Sequence, residues 1–179
     1  HLTPIYDIAN QFAQYTQTSI FITGNAGTGK TTFLRKLRST TQKQIAVVAP
    51  TGVAAINAGG VTIHSFFQLP FTPFVPTIEG EHNLMSKIKM TSMRRKVIQE
   101  LELLVIDEIS MVRADLLDEI DTVLRHIRYR KNLPFGGVQV IFIGDLYQLP
   151  PVVTPDVQET LAPYYEGFFF FNSKVIQQQ

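Results

Sequence analysis

The stretch Gly24-Asn25-Ala26-Gly27-Thr28-Gly29-Lys30-Thr31 decides the fold of this 179-residue chain. It follows a short apolar run, Ser19 to Thr23, that predicts a strand, and it precedes a helical pattern over Thr31 to Leu37. The pattern G-x-x-x-x-G-K-[ST] between a strand and a helix is typical of a phosphate-binding loop. Its glycines let backbone N–H groups turn inward around phosphate oxygens, and the helix N-terminus adds its positive dipole end.

This loop predicts how a Mg²⁺-bound nucleotide is held. Lys30 is expected to neutralise charge on the β- and γ-phosphates, and Thr31 to place its hydroxyl on Mg²⁺. The nucleotide contacts are expected at nine consecutive residues: Gly24, Asn25, Ala26, Gly27, Thr28, Gly29, Lys30, Thr31 and Thr32. A glycine-rich strand-to-helix turn without a ligand is the alternative interpretation.

The rest of the chain alternates between strand and helix patterns. Three further apolar runs predict strands: Gln44 to Ala49, Leu103 to Ile106 and Val138 to Ile143. Helical patterns occur at Ile5 to Tyr15, at Val53 to Ala58, and at Leu116 to Ile127, where Asp118, Glu119, Asp121 and Arg125 occupy the polar side. Because the strands are almost continuously apolar, the sequence predicts an α/β fold with a mostly parallel sheet and helices on both faces.

Two strand ends supply the remaining candidate catalytic groups. Asp107 and Glu108 follow the apolar run Leu103 to Ile106, so Asp107 is the candidate Mg²⁺ ligand and Glu108 the candidate base for the attacking water. Gln148 follows the last run, and its amide is placed to report whether a γ-phosphate is present. The alternatives are acids that cap the next segment and a surface glutamine in a proline-stopped turn.

Four other segments give weaker signals. Thr51 and Gly52 stand at a helix start, where backbone donors suit a phosphate, and His64 and Ser65 precede two phenylalanines that either stack on bases or pack inside. Three prolines make the segment 69–77 a protruding loop. Lysines and arginines cluster at 87–96, which by itself is more often a solvated face.

Composition excludes several classes of protein. A net charge of +1 gives no global basic field, and zero cysteines exclude disulfides, thiolate metal sites and a cysteine nucleophile. Apolar runs are far shorter than the ~20 residues that span a bilayer, and the first residues do not resemble a secretory signal. We expect one cytoplasmic domain with no membrane association. Protease and zinc motifs are absent from the sequence.

The motifs together resemble the PIF-type (petite integration frequency) DNA helicases, relatives of the RecD-like motors in superfamily one. The resemblance covers nearly the whole chain. It rests on the stretches GNAGTGKT at 24–31, APTGVAAINAGGVTIHSFF at 49–67, LLVIDEISMV at 103–112 and GDLYQLPPV at 144–152. The segment from Arg113 to Val138 looks like the signature stretch that separates this family from other superfamily-one helicases.

The resemblance implies a RecA-like first motor domain spanning 1–179, with a small strand-separating insertion at about 69–96. Lys30, Asp107, Glu108 and Gln148 would serve ATP and Mg²⁺, and Gln148 would be coupled to Thr51 during the cycle. Single-stranded DNA would lie along the second set of candidate residues: Thr51, Gly52, His64, Ser65 and Phe71. Phe71 and Phe74 are the candidate wedge residues.

The resemblance also implies a partner and a direction. A second RecA-like domain, absent from this chain, would supply an arginine to the γ-phosphate, so the fragment alone is expected to bind nucleotide with little turnover. Translocation with 5′-to-3′ polarity, a monomeric state, and roles in DNA repair, recombination and telomere maintenance are further expectations. No counterpart is clear for the glutamine that reads adenine in many related helicases. Two alternatives stay open: a P-loop NTPase or kinase that does not act on DNA, and a nucleotide-switched binding module.

Overall fold

In the computed structural model, which describes residues 4–23 and 29–178, five strands form one parallel sheet. The strands are β1 (Ile20–Ile22), β2 (Ile45–Ala49), β3 (Val61–Thr62), β4 (Leu103–Ile106) and β5 (Gln139–Ile143). Their order in the sheet is β1-β5-β4-β2-β3, and every neighbouring pair is parallel. The predicted fold class is confirmed, and each predicted strand ends within one residue of its expected bounds. The two-residue strand β3 was not predicted.

The helices of the described ranges lie between and after these strands. They are α1 (Pro4–Tyr15), α2 (Lys30–Thr40), α3 (Gly52–Ala58), α4 (Ile63–Phe67), α5 (Ile78–Lys87), α6 (Ser92–Glu100), α7 (Ala114–Ile127), α8 (Pro155–Leu161) and α9 (Lys174–Gln177). Threonine or serine hydroxyls cap six of them, because such a side chain accepts a bond from a first-turn N–H. None of the helices described is both long and apolar enough to cross a membrane.

Both faces of the sheet are covered, as the apolar runs predict. Along β4, Leu103 and Val105 pack on the side of α1 and α2, while Leu104 and Ile106 pack on the side of α7. All four side chains are fully buried. The sheet is therefore the middle of three layers, and its carboxyl edge is open to a ligand.

Helix α7 departs from the prediction of a polar side. Three acidic residues expected on that side are buried: Asp118, Glu119 and Asp121. Asp118 accepts bonds from the N–H groups of Lys174 and Val175, each at 2.9 Å, and Asp121 accepts one from the N–H of Phe135 at 2.6 Å. These carboxylates replace water as acceptors for distant backbone, so α7 is enclosed on nearly every side.

The segment 69–77 forms the predicted loop, between α4 and α5, but part of it is anchored. Phe71 is 89% exposed, whereas Phe74 is only 4% exposed and lies in the main core. The prediction of Phe74 as a wedge residue is therefore wrong, because its ring is already packed. The basic stretch 87–96 runs from the end of α5 into α6 and is largely exposed, although Arg94 stacks over the ring of Phe66 at 5.1 Å.

Candidate active site

Lys30, Asp107 and Glu108 meet at the carboxyl edge of the sheet. Nζ of Lys30 lies 3.1 Å from Oδ2 of Asp107 and 3.5 Å from Oε1 of Glu108. It also donates a hydrogen bond to Oδ1 of Asp107 at 3.3 Å. One cation thus lies between two carboxylates that are distant from it in the sequence. The two motifs that contain these residues were predicted to belong to one nucleotide site.

The backbone around β4 fixes both carboxylates. The N–H of Asp107 donates to the carbonyl of Val48 at 2.9 Å, which continues the pairing of β4 with β2 beyond Ile106. Oδ1 of Asp107 accepts the N–H of Glu108 at 2.9 Å. Glu108 has a left-handed backbone (φ 52°), which ends the strand sharply and starts a 3₁₀ turn at Ile109–Met111. Asp107 is therefore 1% exposed, while Glu108 keeps access to solvent.

The start of α2 presents Lys30 to these acids. Gly29 caps the helix with φ 93°, a conformation that favours glycine, and it has no side chain to offer the first-turn N–H groups. Burial lowers the pKa of Lys30, but attraction to Asp107, hydrogen bonding to Asp107 and then the same effects of Glu108 outweigh it, so the pKa is raised. Lys30 is thus held as a cation at the point where phosphate charge is expected.

Tyr6 is a neighbour of this site that was not predicted from the sequence. Its ring stacks on Phe33 of α2 with a centroid separation of 5.0 Å. Burial raises the pKa of the Tyr6 hydroxyl, Lys30 lowers it, and Asp107 raises it, with a raised pKa as the net result. Helix α1 therefore closes one side of the site with a neutral phenol. No specific signal in the sequence marks this position, because α1 contains three aromatic residues, Tyr6, Phe12 and Tyr15.

The other predicted nucleotide residues are placed less completely. Gly24, Asn25, Ala26, Gly27 and Thr28 lie outside the described residues. Thr31 and Thr32 are exposed in the first turn of α2, next to Lys30. Gln148 is half-buried, and its backbone N–H donates to the carbonyl of Asp145 at 3.0 Å, which closes a turn. In the described part of the chain, the side chain of Gln148 makes no hydrogen bond. The roles of Thr31, Thr32 and Gln148 stay predictions.

A second cluster of predicted residues lies beside this site, at the end of β2. Thr51, His64 and Phe71 line one open pocket of about 250 Å³. Gly52 and Ser65 are exposed nearby but do not line it. The structure therefore brings together three of the five residues predicted to contact DNA, although they come from three separate segments.

Two features of this pocket suit a nucleic acid strand. The rings of His64 and Phe71 are stacked, with centroids 4.7 Å apart and planes 9° from parallel, and Phe71 leaves its other face open. The hydroxyl of Thr51 accepts the N–H of Ala54 at 3.2 Å and keeps its own proton to donate. Burial lowers the pKa of His64, nearby Arg113 lowers it further, and Asp115 partly opposes them, so His64 is neutral at pH 7.

Three charged residues of this pocket were missed as functional candidates. Arg113, Asp115 and Glu119 all line it, from the start of α7. Burial raises the pKa of Glu119 to about 8, with a further rise from Asp115 that Arg113 partly offsets. The signal in the sequence was the signature stretch itself, which contains all three residues but gives none of them a role.

Comparison with known proteins identifies the family of the chain. Residues 3–164 match the family model described as PIF1-like helicase. The chain belongs to the PIF1-like helicase family. It is 42% identical over 161 residues to the ATP-dependent DNA helicase PIF1 of Candida albicans, covering 87% of this chain and 17% of the relative. It is 43% identical over 138 residues to human PIF1, covering 75% of this chain and 20% of that protein.

Solved structures of PIF1-like helicases share this fold. A Bacteroides Pif1 in complex with ADP-AlF4 has a TM-score of 0.89 and 46% identity, over all of this chain and 40% of its own. A Bacteroides Pif1 bound to ssDNA has a TM-score of 0.87 and 45% identity, with the same coverage. The chain thus spans about two fifths of these solved chains and about a fifth of the two curated PIF1 relatives. The resemblance to this helicase family is confirmed.

Proposed function

We propose that this chain is the first RecA-like motor domain of an ATP-dependent DNA helicase, and that ATP hydrolysis in it drives movement along single-stranded DNA. One observation carries the proposal: Lys30, Asp107 and Glu108 cluster at the end of β4, and the adjacent strand β2 leads to Thr51. The complexes of Bacteroides Pif1 with ADP-AlF4 and with ssDNA support the same pair of ligands.

The chemistry of the carboxylates fits Mg²⁺ beside the nucleotide. Within residues 4–23 and 29–178, Oδ2 of Asp107 is buried and accepts no hydrogen bond, although Nζ of Lys30 lies 3.1 Å away, so it has a lone pair to offer to a metal-bound water. Hard divalent cations prefer such oxygen ligands, and Asp107 with Thr31 would hold the ion. Bound Mg²⁺ would supply neutralisation of charge on the β- and γ-phosphates.

The chain's own residues then have separate tasks. Lys30 binds phosphate oxygens as a cation, and Asp107 orients its ammonium group. Glu108, beyond the end of β4 and open to solvent, accepts a proton from the attacking water as that water approaches the γ-phosphorus. Gln148 is proposed to bond to the γ-phosphate and to release it after hydrolysis.

Two segments lead from the nucleotide cluster to the DNA pocket. Met111, three residues after Glu108, lines the pocket, and so does Val152, four residues after Gln148. Movement at either end of these short segments would therefore reach Thr51 and His64. In the described ranges no hydrogen bond joins Gln148 to Thr51 directly, so the proposed coupling runs through these segments.

Hydrolysis of Mg-ATP by the natural longer protein, with and without a single-stranded oligonucleotide, tests this function. We expect strong stimulation by DNA, loss of turnover in Glu108→Gln, and retained ATP binding in that variant. Glu100→Gln, an exposed acid at the end of α6, is the matched control and should be as active as the parent. Turnover that is indifferent to DNA would indicate a different P-loop enzyme.

The isolated 179-residue chain is expected to bind ATP and to turn it over slowly. A missing arginine at the γ-phosphate can cost on the order of 10³ to 10⁵ in rate, and we propose that a second RecA-like domain of the natural protein supplies it. Brisk ATPase activity by the chain alone would contradict this. Polarity from 5′ to 3′, the monomeric state and the roles in repair, recombination and telomere maintenance stay predictions from the resemblance, and the cytoplasmic location stays a prediction from composition.

A further inference from the structure

The start of α7 carries a buried ion pair next to the DNA pocket. Asp115 is 1% exposed, and Arg113 donates hydrogen bonds from Nε and Nη2 to its two carboxylate oxygens. Burial lowers the pKa of Arg113, but hydrogen bonding and attraction to Asp115 outweigh it and raise the pKa, so the pair stays charged. A bidentate arginine also fixes the orientation of the carboxylate plane.

The same carboxylate holds a loop that is distant in sequence. Oδ2 of Asp115 accepts the N–H of Phe74 at 2.9 Å, across 41 positions of the chain. Pro70 and Pro73 have no N–H, and among the described residues no other N–H within 70–74 is hydrogen-bonded. The bond from Phe74 to Asp115 is therefore the polar tie between this part of the loop and α7, and the buried ring of Phe74 reinforces it.

The hydrogen bond at Phe74 lies three residues from Phe71, whose exposed ring stacks on His64. Phe71 has almost no packing of its own apart from that stack, since it is 89% exposed. A ring in that state stays in place only if its backbone is held. The loop is anchored on both sides of Phe71: Leu69 is buried and its N–H donates to the carbonyl of His64 at 3.0 Å, and the backbone of Phe74 is held by Asp115.

We propose that Asp115 is a positioning residue that places Phe71 on His64, and that Arg113 serves by fixing Asp115. The importance of this inference rests on the proposed function. The stacked rings of His64 and Phe71 form one wall of the pocket that single-stranded DNA would enter. Asp115 is the first acidic residue of the signature stretch, and positioning Phe71 is the role proposed for it.

The chain offers a matched control on the same helix. Asp121 is also a buried carboxylate, also pairs with an arginine (Arg125, at 2.9 Å) and also accepts a loop N–H (Phe135, at 2.6 Å). It holds the turn at 134–137 rather than the loop at 69–77. Loss of either carboxylate removes the same kinds of contact, but only Asp115 lies on the path to Phe71.

Proton NMR of the 179-residue chain reads the stack directly. The ring current of a parallel phenyl group shifts the carbon-bound imidazole protons of His64 upfield. The Phe71→Leu variant lacks this ring and therefore gives the chemical shifts of these protons without the ring-current effect. We expect Asp115→Ala to move the His64 resonances to the Phe71→Leu position and Asp121→Ala to leave them unchanged. Unmoved His64 resonances in folded Asp115→Ala would overturn the proposal.

A measurement on the unaltered chain covers the case in which Asp115→Ala does not fold. The amide hydrogen of Phe74 should exchange slowly. The amide hydrogen of Thr72, which has no hydrogen-bond partner in the described part of the chain, should exchange rapidly. Equally fast exchange at both positions would overturn the proposal.

Binding of labelled oligothymidylate separates this inference from the proposed function. Asp115→Ala should weaken binding roughly 5- to 100-fold, the contribution of one stacked base, with nucleotide affinity unchanged. In one outcome, Asp115→Ala moves the His64 resonances, but added DNA changes the resonances of neither His64 nor Phe71. The positioning role is then supported and the DNA function fails. If DNA binds to the parent but Asp115→Ala leaves the His64 resonances in place, the positioning role fails alone.

Discussion

Lys30 and Asp107 form an ion pair in which the carboxylate is almost fully buried and the ammonium group is largely so. The pair joins the first turn of α2 to the end of β4 across the intervening strand β5. A buried pair of this kind adds little net stability, whereas removal of one partner leaves a buried charge without compensation. The lysine proposed to bind nucleotide is therefore also a structural residue, and its loss has two separable consequences.

Lys30→Met should abolish nucleotide binding and lower the free energy of unfolding by about 3 kcal/mol, because Asp107 loses its cation. Urea unfolding and binding of a fluorescent ATP analogue measure the two effects. Lys36→Met, on an exposed position of the same helix, serves as the control and should change neither. Retained nucleotide affinity in Lys30→Met would count against the proposed site.

Glu119 predicts a pH dependence of stability. Its pKa is raised from 4.5 to about 8 in the folded state, so the folded protein keeps a proton that the unfolded chain releases between these values. The free energy of unfolding should therefore fall as pH rises from about 4.5 to about 8, by an amount on the order of a few kcal/mol. Glu119→Gln should remove most of this decline, as measured by urea unfolding at pH 5 and pH 8.

The exposed Glu159 of α8 provides the comparison for that experiment. Glu159→Gln should leave the slope of stability against pH unchanged. Equal slopes for the parent and Glu119→Gln would show that Glu119 is ionised in the folded protein.

Asp118 should anchor the last helix described. It accepts the N–H groups of Lys174 and Val175 and the hydroxyl of Tyr165. Asp118→Ala leaves these donors unpaired and should cost about 3 kcal/mol or more. Hydrogen exchange should accelerate at Val175 before it does so at Ile141 in the centre of the sheet.

Two comparisons sharpen the Asp118 prediction. Tyr165→Phe removes one of the three bonds and should cost about 1 kcal/mol. Asp156→Ala, on the exposed first turn of α8, should be close to neutral. Unchanged exchange at Val175 in Asp118→Ala would refute the anchoring role.

Gly136→Ala and Gly52→Ala should differ sharply. Gly136 has φ +60°, and a Cβ there would lie 2.5 Å from the carbonyl oxygen of Leu124. The substitution should therefore cost about 3 kcal/mol in thermal unfolding experiments. At Gly52, in the first turn of α3, a Cβ would meet nothing within 4 Å, and Ala should be neutral or stabilising by up to about 1 kcal/mol. Similar melting temperatures for the two variants would contradict this.

The sheet was predictable from the sequence because its signals are local. Continuous apolar runs mark strands buried on both faces. Asp107-Glu108 stand where such a strand ends, and Gly29-Lys30 stand at the start of the helix that follows another. Parallel strands bring their carboxyl ends to one edge, so the approach of Lys30 to Asp107 followed from topology alone. The spacing of motifs along the chain supplied the family.

The helix α7 was predicted, but the burial of its acidic residues was not, because the signals for it are not local. By pattern Asp118 and Asp121 are ordinary helix-surface residues and Asp115 precedes the predicted helix, and the partners of these three residues lie at Lys174, at Phe135 and at Phe74. Nothing in the periodicity of α7 shows that backbone donors from three other segments will replace water. Phe74 was mispredicted for the same reason, since proline-rich loops are expected to be exposed and only Asp115 reveals the anchor.

The dependence of α7 on residues that come much later has a consequence during synthesis. Asp118 leaves the ribosome before Tyr165, Lys174 and Val175, so its carboxylate remains hydrated while strand β5 is being synthesised. Native enclosure of α7 cannot finish until the segment around Val175 has emerged, and nascent chains halted before that point should remain sensitive to protease at α7. Helix α7 therefore joins the core only after α9, which is synthesised much later, has emerged.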